Sequence, residues 1–472
     1  MQSAPLAGVR VLDLSRVLAG PFCSMILGDL GAEVLKVERP GQGDETRTWG
    51  PPFWHGLSAY YLSCNRNKKG LTLDLAQPDG RKLLTELLCR SDVLLENFLP
   101  SSAAKLGLTP EQVLRLNPRL VVCSISGFGR TGPMREAPGY DFAIQAMSGL
   151  MSITGPVAGP PCKVGVAVSD IITGLYAAIG ILACLHARQT TGHGYAIDLA
   201  LLDCTLAAQV NVAQAYLSSG QLPPRQGNAH LQIVPYQLFA TADGHLVLAV
   251  GNDGQWGRFC MAAGCTHLRD DPRFAANMGR VEHRGDLIPL LEPILRERTT
   301  SQWQELLTRA EVPHSPVLNH AQVFQHPQAE ARGMKVTIRD PAGRPVDLIN
   351  TPFRIDGVAR PERCACLAIP SARAGSLRAP ARRDFVGRAA TGRGRIPPRA
   401  PRGEEGRALA GDALSLQRRL GVRGHRRRRA HRRRWGGQLR RLAADRFVHA
   451  RRGQSDLLLP RPAGRVRQGL RA

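Results

Sequence analysis

Along the first half of the chain, short apolar runs alternate with stretches of helical spacing. Gly8–Leu14 (GVRVLDL) is apolar with β-branched residues and predicts a buried strand. Pro21–Leu30 carries apolar positions at helical spacing, and Gly31 stops it. Ala32–Glu38 alternates as a strand does, and Leu71–Leu75, Asp92–Glu96 and Leu120–Ser126 are further strands. Pro78–Cys89 is an amphipathic helix with Leu83, Leu84, Leu87 and Leu88 on one face. Strands alternating with helices at this spacing predict an α/β fold, a parallel sheet with helices on both faces.

The most apolar stretch, Ile171–Leu185, has 15 residues, short of the roughly 20 that span a bilayer, and predicts a buried core helix. Ile171–Ala187 and Tyr195–Leu217 are both expected as helices, followed by a polar linker at Ser218–Gly227. The texture then changes. Tyr236–Thr241 and Leu246–Val250 are short strands around a turn at Asp243–Gly244, and Trp256–Ala263, Arg284–Arg296 and Ser301–Ala310 are helices. Pro327–Val358 returns to short strands with a turn at Pro341–Gly343. The expected organisation is a large domain over 1–217, a linker over 218–227, a smaller α+β domain over 228–325, a return to the large domain over 326–358, and a tail over 359–472.

Charge separates that tail from the rest. Residues 359–472 hold 31 Arg, no Lys and 7 acidic residues, a net +24, whereas residues 1–358 hold 32 basic and 31 acidic residues. The overall +25 therefore says nothing about the partners of the first three quarters. The nine Cys of 1–358 stand singly, with no CxxC pair, which suits neither a zinc site nor a disulfide framework and points to free thiols in a reducing cytoplasm. The N-terminal MQSAPLAGVRVLDLS lacks a basic region followed by an apolar one, so no secretory signal is expected.

One carboxylate stands out. Asp170 follows the small, apolar run Val164–Val168 and precedes the helix expected from Ile171, an N-cap position. A carboxylate there feels the helix dipole and is expected to stay ionised even when partly buried. Gly165, Ala167 and Ser169 leave room for a bulky substrate. Taken alone, the position also fits a plain helix cap.

Eight segments in order carry a resemblance: VLDLSRVLAGP (11–21), GAEVLKVERPGQGDETR (31–47), NRNKKGLTLDL (65–75), ENF (96–98), GFGRTGP (127–133), PGYDFAIQAMSG (138–149), the Asp170 segment, and GNDGQW (251–256). Together they resemble the class III CoA-transferases of the CaiB/BaiF type, a family that also includes α-methylacyl-CoA racemase. GNAHLQIVPYQLF (227–239) is most similar to the succinyl-CoA–glutarate transferase branch. The resemblance implies a Rossmann-like large domain, an interlocked homodimer, and CoA transfer between an acyl-CoA and a carboxylic acid. Asp170 would be the nucleophile, passing through an aspartyl anhydride and an aspartyl-CoA thioester. No metal or permanently bound cofactor is implied; coenzyme A enters as part of the substrate.

By the same resemblance, CoA would lie against Arg16, Val17, Leu18 and Ala19, Arg39, Leu73, Asp74 and Leu75, and Asn97 and Phe98, with Lys105 near phosphate. Arg39 suits phosphate as a planar, permanently charged fork. Leu18 and Ala76 stand where some members carry Gln and Lys. Gly251, Gly254 and Gln255 match a loop that covers the intermediate and keeps water off it. Tyr140 and Asp141 stand where racemases of the family carry GHD. A phenol with a pKa of about 10 is a poor base at neutral pH, so acyl transfer is favoured over a racemase-like proton exchange. His55, His193 and His230 fall outside that motif and are expected to be structural or surface residues.

The family pattern stops near Arg354–Val358. The tail beyond it, with HRRRRAHRRRW at 425–435, has the Arg-Ala-Gly-Pro composition of a shifted reading frame in a GC-rich gene. A disordered basic arm is the rival reading, binding nucleic acid only non-specifically. A non-functional chain with an altered C-terminus is the third. Membrane association is not expected.

Overall fold

The computed structural model describes residues 3–340 and 342–357; the Arg-rich segment 359–472 and the readings attached to it lie outside the described residues. Thirteen strands occur among the described residues: β1 (Arg10–Asp13), β2 (Glu33–Glu38), β3 (Phe53–Trp54), β4 (Leu57–Ser58), β5 (Lys68–Thr72), β6 (Val93–Glu96), β7 (Val121–Ser126), β8 (Tyr195–Ala200), β9 (Tyr236–Ala240), β10 (His245–Ala249), β11 (His314–Pro316), β12 (Lys335–Arg339) and β13 (Pro345–Ile349). Six of them form one sheet in the order β5-β2-β1-β6-β7-β8, and every neighbouring pair is parallel. The sheet grows outward in both directions from the middle, so the chain reverses its winding between β1 and β6. In open parallel sheets that reversal opens a crevice at the strands' carboxyl ends, where ligands bind.

Both faces of the sheet are covered. Val11, Val34, Val93, Val121 and Cys123 pack with the helices Ala19–Asp29 and Val168–Thr191. Leu12, Leu35, Leu94 and Val122, one residue on in each strand, pack with Leu84, Leu87 and Leu88 of the helix Pro78–Arg90. Burial on alternate sides explains why these strands read as continuous apolar runs. A second core gathers residues from Val234 to Val312 around Trp256, Phe259, Leu291 and Trp303, beside the antiparallel sheet β11-β10-β9.

The structure corrects several expectations. Tyr195–Leu217 is not one helix: Tyr195–Ala200 is strand β8, paired in parallel with β7, and the helices Leu201–Ala207 and Val210–Ser219 follow. The period-2 alternation of YAIDLA, spaced for a strand, decides there. The strand expected at Leu71–Leu75 lies earlier, at Lys68–Thr72, because Lys68 is buried rather than solvated. The stretch from Pro327 opens with a helix, Pro327–Ala331, started by Pro at its first position and by the His326 side chain accepting from Gln328 N.

The helix expected at Ile171–Ala187 runs from Val168 to Thr191, 24 residues, long and apolar enough to cross a membrane by length and composition. Its Thr173, Gly174, Ala177, Ala178, Ile181 and Leu185 are buried, as in a core helix, but only 39% of its most apolar window is covered. Leu175, Tyr176 and Ile179 remain exposed.

Candidate active site

The crevice at the reversal is built from the two loops that leave β1 and β6. Asn97, just after β6, binds the backbone of Arg16, just after β1. Its Oδ1 accepts from Arg16 N at 3.0 Å and its Nδ2 donates to Arg16 O at 2.8 Å. One side chain thus closes the gap between the two loops. Val17, the next residue, sits at φ 70°, a conformation that costs a β-branched residue on the order of 1–3 kcal/mol and persists only where the surroundings enforce it.

Beneath this loop lies a cluster of fully buried charges. Lys36 Nζ meets Asp44 Oδ2 at 2.9 Å, and Lys68 Nζ meets Asp13 Oδ2 at 3.3 Å, with all four side chains excluded from solvent. Ser15 and Ser24 donate to Asp13, which is held below the usual carboxylate range. Burial opposes that shift and is outweighed by Lys68, Lys36 and the two hydroxyls together. Nearby, Arg47 Nε at 2.8 Å and the Tyr61 hydroxyl at 3.0 Å donate to the buried Glu38 carboxylate.

Above the loop two cavities of about 500 Å³ each adjoin. The first is lined by Asp170, Tyr140, Val17, Ala19 and Asn97. The second is lined by Leu73, Asp74, Leu75 and Arg81. Arg16, Arg39, Phe98, Lys105 and Leu106 line both. The pair therefore forms one groove, with a carboxylate at one end and four cationic side chains along the rest. Arg16 reaches toward Glu45 at 4.0 Å, and its buried Nε has no partner among the described residues.

Asp170 differs from its expectation. The helix begins at Val168 with Ala167 as N-cap, so Asp170 lies inside the first turn and caps nothing. The capping acceptor is Asp141, whose Oδ1 accepts from Ser169 N at 2.8 Å. Gln145 steadies Asp141 through Nε2 at 2.7 Å while its Oε1 accepts from Val164 N at 2.8 Å. Nor is Asp170 held firmly ionised. Burial and the neighbouring Asp141 carboxylate raise its pKa to about 7, against a smaller opposing effect from the Ala19 backbone N–H. Desolvation and a like charge outweigh the helix dipole.

Most of the expected residues meet in the groove, and some do not. Leu18 is buried and lines neither cavity. Asp141 lies behind Asp170 rather than on the groove wall. Gly251, Gly254 and Gln255 are also absent from both linings; their loop is folded on itself, with Gly251 N donating to Gln255 Oε1 at 2.7 Å. Gly127 and Gly139, from two neighbouring segments of the wall, pass so close that a Cβ on Gly127 would lie 2.6 Å from the Gly139 Cα, which fixes the segment carrying Tyr140.

Two contributors escaped the sequence reading. Tyr60 lines neither cavity but lies within electrostatic reach of Asp170 and Asp141, and its phenol is pushed well up, first by burial and then by Asp170, so it stays neutral. Trp49 packs edge-on against it at 5.2 Å. The aromatic pair Tyr60-Tyr61 beside Trp49 was the available signal. Arg81, whose Nε donates to Leu75 O at 3.0 Å, is a further cation of the groove that the motifs did not mark.

Comparison with known proteins agrees with this geometry. The family model described as CoA-transferase family III matches residues 6–365. The succinate–glutarate CoA-transferase of Agrobacterium fabrum is 44% identical over 360 residues, covering 74% of this chain and 89% of that protein. The succinyl-CoA:glutarate CoA-transferase of Homo sapiens is 44% identical over 337 residues, covering 71% and 77%. A crystal structure of a CaiB/BaiF family protein from Brucella suis superposes with a TM-score of 0.68 at 44% identity, covering 76% of this chain and 95% of that one.

Proposed function

Because the chain belongs to CoA-transferase family III and is a CoA-transferase, we propose that its reaction runs covalently through Asp170. The Asp170 carboxylate attacks the thioester carbonyl of a donor acyl-CoA, the C–S bond breaks, and a mixed anhydride and CoA thiolate form. The thiolate attacks the aspartyl carbonyl of the anhydride, releasing the donor acid and leaving an aspartyl-CoA thioester. An acceptor carboxylate repeats both steps in reverse order, and Asp170 emerges as a carboxylate. No net proton or electron is exchanged. The observation that carries this reading is the groove itself: a desolvated carboxylate at one end and Arg16, Arg39 and Lys105 along it, suited to a long, polyanionic thioester. Among the described residues lining the Asp170 cavity there is no histidine, which weighs against racemase-like proton exchange.

Succinyl-CoA as donor and a dicarboxylic acid as acceptor are the favoured substrates, supported by the names of the relatives at 44% identity. A homodimer is supported by the apolar face that a single chain leaves open, Tyr176 and Ile179 with Leu206, Val210 and Leu217. On this reading the Gly251–Gln255 loop covers the intermediate only by shifting or by coming from the second subunit. Nine unpaired cysteines among the described residues support a reducing compartment such as the cytoplasm.

The test is intact and peptide mass spectrometry after incubation with succinyl-CoA. A CoA-sized adduct on the Asp170 peptide, absent in Asp170→Ala, is expected. A folded protein that forms no adduct with succinyl-CoA or with other acyl-CoAs would overturn the reading.

A further inference from the structure

The loop from Ser15 to Val17 has every backbone polar group held by a side chain. Ser15 N donates to Asp13 Oδ1 at 2.9 Å, and Ser15 O accepts from Lys36 Nζ at 2.8 Å. Both groups of Arg16 are taken by Asn97. Val17 N donates to Asp44 Oδ1 at 3.4 Å, and Val17 O faces Cys64 Sγ at 3.8 Å. Three residues are thus gripped by five side chains, while the loop holds the left-handed Val17 at φ 70°. Strain maintained with this much hardware points to a function for the geometry.

The loop leads directly into Ala19, the first residue of the helix Ala19–Asp29. A first-turn N–H has no partner within its own helix; Ala19 and Asp170 line the same cavity, and the Ala19 N–H lies near enough to lower the Asp170 pKa. From the other side, Gly174 brings the Asp170 helix so close that a Cβ there would lie 2.7 Å from Ala19 O. Ala19 is therefore located by the Val17 turn on one side and by the helix contact on the other. The fully buried Lys36–Asp44 pair is the part of the grip with the least obvious role in stability, because replacing buried ion pairs with apolar groups is often neutral or stabilising.

We propose that Lys36 and Asp44 are positioning residues: together they hold the strained Val17 turn so that the Ala19 N–H stays aimed at the Asp170 carboxylate. This rests on Asp170 being the nucleophile. Lys36 fixes the carbonyl before the turn and Asp44 the amide within it, each anchoring the other. Thr46 completes the Asp44 shell, donating through N at 3.0 Å and Oγ1 at 2.8 Å.

The experiment compares wild type with Lys36→Met, Asp44→Asn and each combined with Val17→Gly, following the rate of aspartyl-CoA formation against pH. The other titratable or charged groups that face Asp170 or line its cavity are Asp141, Tyr60, Tyr140, Arg16, Glu45, Arg39 and Lys105; none is altered. Lys36→Met and Asp44→Asn are expected to slow adduct formation about 10- to 100-fold, with a smaller change in KM, and to raise its pH midpoint by about half a unit or more. Direct field effects predict opposite shifts for the two, because one removes a cation and the other an anion. A lowered midpoint in Asp44→Asn would therefore overturn the proposal.

Glycine accepts the left-handed turn without strain, so in the Val17→Gly background each loss is expected to shrink at least about threefold. Losses of unchanged size in that background, or adduct formation at the wild-type rate in Lys36→Met, would sink it. Should Lys36→Met not fold, Asp44→Asn, which keeps its volume and an acceptor oxygen, carries the same test alone. A wild type that forms no adduct overturns the Asp170 nucleophile reading, and the proposal with it; failure of the proposal alone shows as wild-type behaviour in the variants.

Discussion

The Asp141 carboxylate accepts the Ser169 N–H at 2.8 Å and so stands against Asp170, the next residue of the same helix. It satisfies a helix end and raises the pKa of its neighbour at once. Asp170 titrates at about 7 for two reasons, burial first and Asp141 second. On the proposed mechanism adduct formation needs the ionised form, so its rate should rise with pH through about 7. Asp141→Asn keeps an acceptor for Ser169 but removes the charge, and its midpoint should fall by about 0.5–1 unit. A midpoint that stays put would assign the whole elevation to burial.

Stability should respond in the opposite sense. A carboxyl whose folded pKa lies above its ordinary 3.8 is protonated more readily in the native chain than in the unfolded one. Its stabilising contribution is full below about 4 and is lost as pH rises through about 7. Asp170→Asn cannot make that loss. It should match wild type near pH 4 and exceed it by about 1–2 kcal/mol near pH 8, a figure reduced for partial exposure. Urea unfolding at the two pH values gives both numbers, and a wild type that is the more stable one at pH 8 would contradict the burial account.

Gly174→Ala sets helix propensity against packing. In an exposed helix interior the change stabilises by about 1 kcal/mol. Here the new Cβ would stand 2.7 Å from Ala19 O, a backbone atom that cannot swing away. Overpacking costs about 1–3 kcal/mol, so net destabilisation of up to about 2 kcal/mol is expected, read from denaturant midpoints. A more stable variant would show that the two helices separate easily.

Arg39→Ala and Lys105→Ala should each raise KM for the acyl-CoA about 10- to 100-fold, in line with about 1.5–3 kcal/mol for a hydrogen bond to a charged group. KM for the acceptor acid should move little. Steady-state kinetics with the two substrates varied separately decides this, and an equal rise in both would place the cations on the acid instead.

The sheet was legible because its strands are short, apolar and regularly interrupted by helices. Val93–Glu96 and Val121–Ser126 came out within a residue of their expected ends. Strand β8 was missed because YAIDLA runs straight into a helix without a turn residue to separate them. Position 170 was legible through its motif, yet its environment was not. The capping carboxylate comes from 28 residues upstream and the opposing N–H from Ala19. The buried ions were equally hidden. Lys68 and Asp13 lie 55 residues apart, and each alone reads as an ordinary polar residue of a strand.

The groove has the Asp170 carboxylate on the helix between β7 and β8, whereas Arg16 and Arg39 follow β1 and β2, Arg81 lies on the helix after β5, and Lys105 on the short helix after β6. An enzyme arranged this way can evolve its two ends separately. On the proposed mechanism, changes at Tyr140 beside Asp170 can alter which acids are accepted while Arg39, Arg81 and Lys105 keep the same carrier. A lineage built on such a groove can diversify by exchanging the cargo and retaining the handle.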